Sequence, residues 1–185
     1  SENPIKINLE STSNASIKVG SGELEIESID NSNVNLNQIQ PSSSLTIKPV
    51  SPIIVNEVEF KQGKYEKGKI LINSDDNTKV QVKSIKLQQG REGVIQNATI
   101  TGKITFGFSS SLEINNNVAL ESSTLDCPYS DSFSQRKSAL IKGYINSVPD
   151  KIIISSREEG KWLATRKLFI AESYQTFDCP AWGRK

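Results

Sequence analysis

The chain of 185 residues contains no histidine, no methionine and only two cysteines. Each shortage removes a class of chemistry. Without histidine there is no Ser-His-Asp or Cys-His catalysis and no side chain of ordinary pKa poised near neutrality. The commonest zinc ligand is gone too, and two cysteines outside any CxxC pairing cannot complete a tetrahedral thiolate site by themselves. No glycine-rich phosphate loop appears, since Gly102 and Gly107 sit inside an alternating pattern rather than between a strand and a helix. Aromatic residues make up 6% of the chain, and none precedes Phe60. Nucleic-acid platforms interleave stacking aromatics with basic residues, so this scarcity argues against nucleic acid as a partner. No apolar run approaches the ~18–20 residues that a bilayer-spanning helix needs. No secretory leader is recognisable, and the opening at Ser1 reads as a processed or trimmed chain.

What is present is alternation. Ile5, Ile7 and Leu9 alternate with polar residues, as do Ile17 and Val19, Leu24 and Ile26, Val34 and Leu36, and Leu45 and Ile47. The longest such stripe is Ala98, Ile100, Gly102, Ile104, Phe106 and Phe108. A period of two places one set of side chains on a buried face and the other in water. Parallel strands are usually covered on both faces, so the pattern predicts antiparallel strands. Between the stripes lie turn-forming clusters: Gly20-Ser21-Gly22, Pro41-Ser42-Ser43-Ser44, Asp75-Asp76-Asn77 and Asn115-Asn116-Asn117. The apolar parity flips between Val82 and Ile85, which predicts a bend across Ser84. Trp162 to Ala171 also reads as a strand. The expected fold is therefore all-β, an antiparallel β-sandwich-like domain with an N-terminal Ser/Asn-rich β segment packed on it. Pro41, Pro49 and Pro52 mark a seam, dividing residues 1–50, not expected to fold alone, from a sandwich of residues 51–185. The rhythm of residues 5–48 also allows a small solenoid-like ladder, but no fixed-period repeat supports it.

The two cysteines share a phrase. Thr124-Leu125-Asp126-Cys127-Pro128 recurs as Thr176-Phe177-Asp178-Cys179-Pro180, with Tyr129 after the first copy and Trp182 after the second. Matched settings predict a Cys127–Cys179 disulfide, and with it an extracellular, periplasmic or cell-surface location. Tyr129 and Trp182 are candidate binding residues, for a protein partner or a sugar, with packing against the disulfide as the plainer role.

Other candidates are weaker. Glu57 with Glu59, or Glu158 with Glu159, are carboxylate pairs of the kind that hydrolyses glycosides, though surface acids on strands are common. No cofactor is expected. Calcium is the metal that Asp75-Asp76-Asn77 or Asp30-Asn31-Ser32-Asn33 would suit, although neither has the spacing of a twelve-residue calcium loop. The triplets Asn14-Ala15-Ser16 and Asn97-Ala98-Thr99 are N-glycosylation acceptor patterns. The Lys, Ile, Asn and Ser bias is that of an AT-rich, bacterial genome. Together these features predict a non-enzymatic β-domain, a structural, adhesive or assembly module of pilus, adhesin or secretion-system type. Its expected partners are other subunits, a surface ligand or a glycan. The alternative is a secreted sandwich that binds or cleaves carbohydrate.

Overall fold

The computed structural model describes residues 5–9, 15–19, 24–28, 34–61, 67–115, 117–128, 140–144, 147, 149–154, 162–164 and 175–179. Among them there is no helix. The strands are β1 (Ile5–Leu9), β2 (Ala15–Val19), β3 (Leu24–Ser28), β4 (Val34–Pro41), β5 (Ser44–Lys48), β6 (Ile53–Phe60), β7 (Lys67–Ile72), β8 (Val80–Val82) and β9 (Ile85–Leu87). They continue as β10 (Glu92–Gln96), β11 (Thr99–Ile100), β12 (Lys103–Phe106), β13 (Ser111–Asn115), β14 (Thr124–Cys127), β15 (Leu140–Gly143), β16 (Lys151–Ile154), β17 (Trp162–Ala164) and β18 (Gln175–Asp178).

These strands form a parallel β-solenoid, not an antiparallel sandwich. One sheet stacks β1, β3, β5, β7, β10, β13 and β15 in that order, every neighbouring pair parallel. The other stacks β2, β4, β6, β9, β12, β14 and β16, also parallel. The chain thus coils, each turn laying one strand on each sheet. Only the last two strands reverse: β17 runs antiparallel to β16 and β18 antiparallel to β15.

The expectation of antiparallel strands failed for a definable reason. Parallel sheets are covered on both faces when helices make the crossovers. Here the crossover is the opposite sheet of the same coil, so each sheet has one face inward and one in water. Alternation survives, and it cannot report strand direction. The repeat is also uneven. Gln38 meets Glu57 of the next coil 19 positions on, Asn97 meets Ile72 25 positions away, and Ser147 meets Val118 29 positions away. Insertions at the corners change the count from coil to coil, so no fixed period is visible.

The core consists of columns of like side chains, one per coil. Leu45, Ile70, Ile95 and Ile114 stand in register along the first sheet. Ile39, Val58, Ile85, Ile104, Leu125 and Ile152 do so along the second. All ten are buried. Neighbouring strands lie ~4.7–4.9 Å apart, a spacing at which branched aliphatic side chains stack in contact. Ile and Val are also the residues that suit extended backbone.

The second sheet folds around a corner. The first half of β6 pairs with β8, placing Val55 beside Val82, and its second half pairs with β9, placing Val58 beside Ile85. The bend expected at Ser84 lies there, with the Ser84 hydroxyl donating to the Asn56 carbonyl at 3.1 Å. One coil on, the apparent single strand from Ala98 to Phe108 breaks the same way into β11 and β12. Gly102 occupies the break because a Cβ there would collide with the Lys83 carbonyl oxygen. The third facet continues from β8 through β11 to a bridge at Ala119. Next to that bridge the buried Ser147 hydroxyl accepts from the Leu120 amide at 2.7 Å.

Both sheets run through residues 41–52, since β4 pairs with β6 and β5 with β7. Strands β2 to β5 therefore lie in the same ladders as the strands that follow, and the sandwich assigned to residues 51–185 is replaced by the later coils of a parallel solenoid.

Phe60 is an aromatic residue of the inner face and is fully buried. Its ring fills the space over Gly93, where an added Cβ would lie 2.9 Å from three ring carbons. Gly68, paired with Gly93 on the neighbouring coil, faces the same ring. Phe60→Ala should cost about 3–5 kcal/mol through the cavity it leaves. Gly93→Ala should cost about 1–3 kcal/mol by overpacking. Chemical denaturation should show the Gly93→Ala penalty shrinking in a Phe60→Leu background, because the clash partner is then smaller.

Candidate interaction faces and the cysteine clamp

The outward positions of the strands carry charges of alternating sign. On the first sheet Lys48 pairs with Glu25 at 3.2 Å, and Lys67 reaches Glu92 at 3.8 Å and Glu113 at 4.0 Å. On the second, Gln38 donates to Glu57 at 3.0 Å and Lys86 pairs with Glu57 at 3.6 Å. Lys61 meets Glu59 at 3.5 Å, and Lys103 meets Asp126 at 3.8 Å. Most of these contacts link one coil to the next. Each is worth at most ~1 kcal/mol where water reaches it. Their larger effect is to keep like charges from facing each other across the ladder.

Glu57 and Glu59 share the outer face of β6, as a two-residue spacing on a strand requires, with Val58 and Phe60 turned inward. Each carboxylate has a lysine beside it. Glu158 and Glu159 lie outside the described residues, as do Tyr129, Trp182, Asn14 and the Asp30-Asn31-Ser32-Asn33 cluster.

The Asp75-Asp76-Asn77 cluster is a turn closed on itself. The Asp76 carboxylate accepts from the Thr78 hydroxyl at 2.6 Å and from the Thr78 amide at 2.9 Å, while the Ser74 hydroxyl accepts from the Asp76 amide at 3.1 Å. The Thr78 hydroxyl first, then its amide, hold the Asp76 carboxyl below its ordinary range, with Lys79 adding a weaker pull. Among the described residues no three His, Cys, Asp or Glu side chains converge as a metal site. A depressed folded-state pKa contributes stability above the unfolded value of about 3.9, and that contribution is lost as pH falls through the folded value. NMR titration of Thr78→Val should therefore show Asp76 ionising at higher pH than in the parent.

Two further polar residues have structural roles that depend on the neighbouring coil and that the sequence reading did not assign them. Asn97 adopts a left-handed backbone with φ of 54° at a corner. Its side-chain amide donates to the Ile72 carbonyl at 3.0 Å, and its side-chain carbonyl accepts from the Asn117 amide at 3.3 Å. The acceptor nitrogen of the Asn97-Ala98-Thr99 triplet is thus committed to the fold. Arg91 is buried at 3% exposure, donates to the Ser42 carbonyl at 3.3 Å, and is pushed below its ordinary pKa by burial. Asparagine at a turn is a readable signal; a buried arginine at a corner is not.

The cysteine phrase is the feature that sequence and structure share. Both copies are strand ends: β14 finishes at Cys127, and Cys179 directly follows β18. One strand belongs to the second sheet and the other to the first, and the disulfide joins them with a Cα separation of 5.6 Å. Both cysteines are buried, at 1% and 2% exposure. The bond therefore ties the reversed strand β18 to the body of the solenoid, across the two sheets.

Comparison of the chain with protein-family models, with curated proteins and with solved structures finds no match to any of them.

In the chain-entropy account, a bridge spanning 52 positions stabilises the fold by roughly 4 kcal/mol. Its burial shields it from solution reductants. The melting temperature should stay unchanged on brief exposure to a mild thiol and drop clearly once the bond has been reduced under denaturing conditions and the chain refolded. Rapid reduction of the native protein would contradict the buried position of the sulfurs.

Proposed function

We propose that the protein is a non-enzymatic module of an extracellular or cell-surface system, structural, adhesive or assembly in role and of pilus, adhesin or secretion-system type. The observation that carries this reading is the disulfide closing the end of a two-sheet solenoid whose outer faces present paired charges. A buried disulfide is at home in an oxidising compartment, which is compatible with a location outside the cytoplasm. The described residues include no helix long and apolar enough to cross a membrane. Solenoids offer long, regular surfaces for binding other macromolecules, and alternating charges mark such a surface as one that recognises a shaped partner rather than any polyanion.

The composition supports a bacterial source and points to other subunits or a surface ligand as partners. The carbohydrate alternative rests on Tyr129 and Trp182, which lie outside the described residues, and gains no support from the carboxylates at Glu57 and Glu59.

Two measurements test the reading. Mass spectrometry of protein recovered from its natural source should find the Cys127–Cys179 peptide pair oxidised; free thiols there would speak against the extracellular setting. Purified protein should turn over no glycan or ester. Turnover abolished by Glu57→Gln or Glu59→Gln would falsify the non-enzymatic reading.

A further inference from the structure

The coils of a solenoid touch only their neighbours, so a strand's hold on the fold is set by its own pairings. By that measure β18 is weakly held. Among the described residues it pairs with β15 alone, from Leu140↔Asp178 to Gly143↔Gln175. It is antiparallel, whereas the other rungs of its sheet are parallel. The chain reaches it from β15 only after laying β16 and β17 on the opposite sheet. The pairing is therefore non-local, and a strand of 4 residues must offset the entropy of closing the intervening chain.

The columns that fill the core do not need β18. Ile39, Val58, Ile85, Ile104, Leu125 and Ile152 belong to the other sheet. Leu45, Ile70, Ile95 and Ile114 reach their last member on β13, and the next position is Gly143 of β15, which adds no side chain. Next to β18 lies the buried sulfur of Cys179, bonded to that of Cys127, also buried. Cys127 ends β14, which is flanked on both sides by parallel neighbours, β12 and β16. One half of the bond thus sits in the body of the solenoid. The other half follows a strand held along one edge.

We propose that the Cys127–Cys179 bond is a redox latch on the C-terminal end of the solenoid. With both thiols reduced, the parallel coils stand and β18 is undocked from β15. With the bond formed, β18 is docked and the end is closed. The latch rests on the extracellular reading for its setting only: the open form belongs to a reducing compartment and the closed form to an oxidising one. The closing step is thiol–disulfide exchange with a disulfide donor, either a small-molecule disulfide or a disulfide oxidoreductase. One cysteine thiolate attacks a donor sulfur, a mixed disulfide forms, and the other donor sulfur leaves as a thiolate. The second cysteine thiolate attacks the cysteine sulfur of that mixed disulfide and expels the remaining donor sulfur. The cysteines give up two electrons and two protons, and the donor leaves as two thiols. The open form provides the access this step needs, because the closed form buries both sulfurs.

The test is hydrogen exchange read by mass spectrometry. It compares the oxidised 185-residue chain with the same chain refolded in reductant and with Cys127→Ala/Cys179→Ala. In both forms lacking the bond, the amides of β18 should lose at least about a hundredfold in protection. The loss should fade along the axis until β4 to β7 exchange as they do in the oxidised chain. Iodoacetamide under native conditions should label both cysteines of the reduced chain. Oxidised glutathione should restore β18 protection in the reduced parent and leave the alanine variant unchanged. Protection lost evenly through all coils, or a variant that does not fold, shows a staple of the whole fold and overturns the latch. A β18 that stays protected without the bond overturns it too, as do thiols of the reduced chain that resist labelling. Free thiols in protein from its natural source, by contrast, remove the extracellular reading and leave the latch to be decided by exchange alone.

Discussion

Every coil of this protein depends on the coil before and after it. A single turn has two short strands and one row of inward side chains, and neither its backbone groups nor its apolar face can be satisfied within that turn. The parallel ladders supply both at once: backbone groups bond along the axis, and Ile39, Val58, Ile85, Ile104, Leu125 and Ile152 stack along the same direction. The spacing of ~4.7–4.9 Å is set by the backbone, and the side chains must suit it. Branched aliphatics do, which explains why so few aromatics suffice. Phe60 is tolerated because Gly68 and Gly93 leave it room.

The corners are governed by a different requirement. A chain that turns between facets leaves backbone groups without ladder partners, and buried ones must find them elsewhere. Asn97, Ser84, Ser147 and Arg91 meet this need with side chains that reach the main chain of a neighbouring coil. The corners also absorb the variation in coil length, so insertions there leave the columns of the core in register.

The C-terminal strands break the pattern in a way that matters for the whole. With β17 and β18 reversed, the last rung of each sheet is antiparallel, and the disulfide fastens β18 across to β14. End coils in such an architecture have a neighbour on one side only and are the first to open. A covalent tie at one end raises the cost of that opening, and it is placed where the cooperative support of further coils is missing.

The amino-acid pattern alone determined that the described residues are all-β, that most of the strands with described side chains alternate a buried with a more exposed face, that a bend falls at Ser84, and that Cys127 and Cys179 are partners. Each follows from local rules: period two for strands, a parity flip for a bend, matched flanks for the cysteines. Strand direction and connection were decided only by the tertiary structure. Alternation reports that one face is wet, and both an antiparallel sandwich and a helix-free parallel coil satisfy it. The uneven corners hid the repeat that would have separated them, and the Ala98–Phe108 stripe concealed a corner at Gly102 that appears only when Lys83 of the preceding coil is in place. The outer face shared by Glu57 and Glu59 was readable from their spacing, whereas Gln38 and Lys86 beside Glu57 come from neighbouring coils. Contacts between coils depend on the register of the stack, and register is a property of the folded chain rather than of any segment within it.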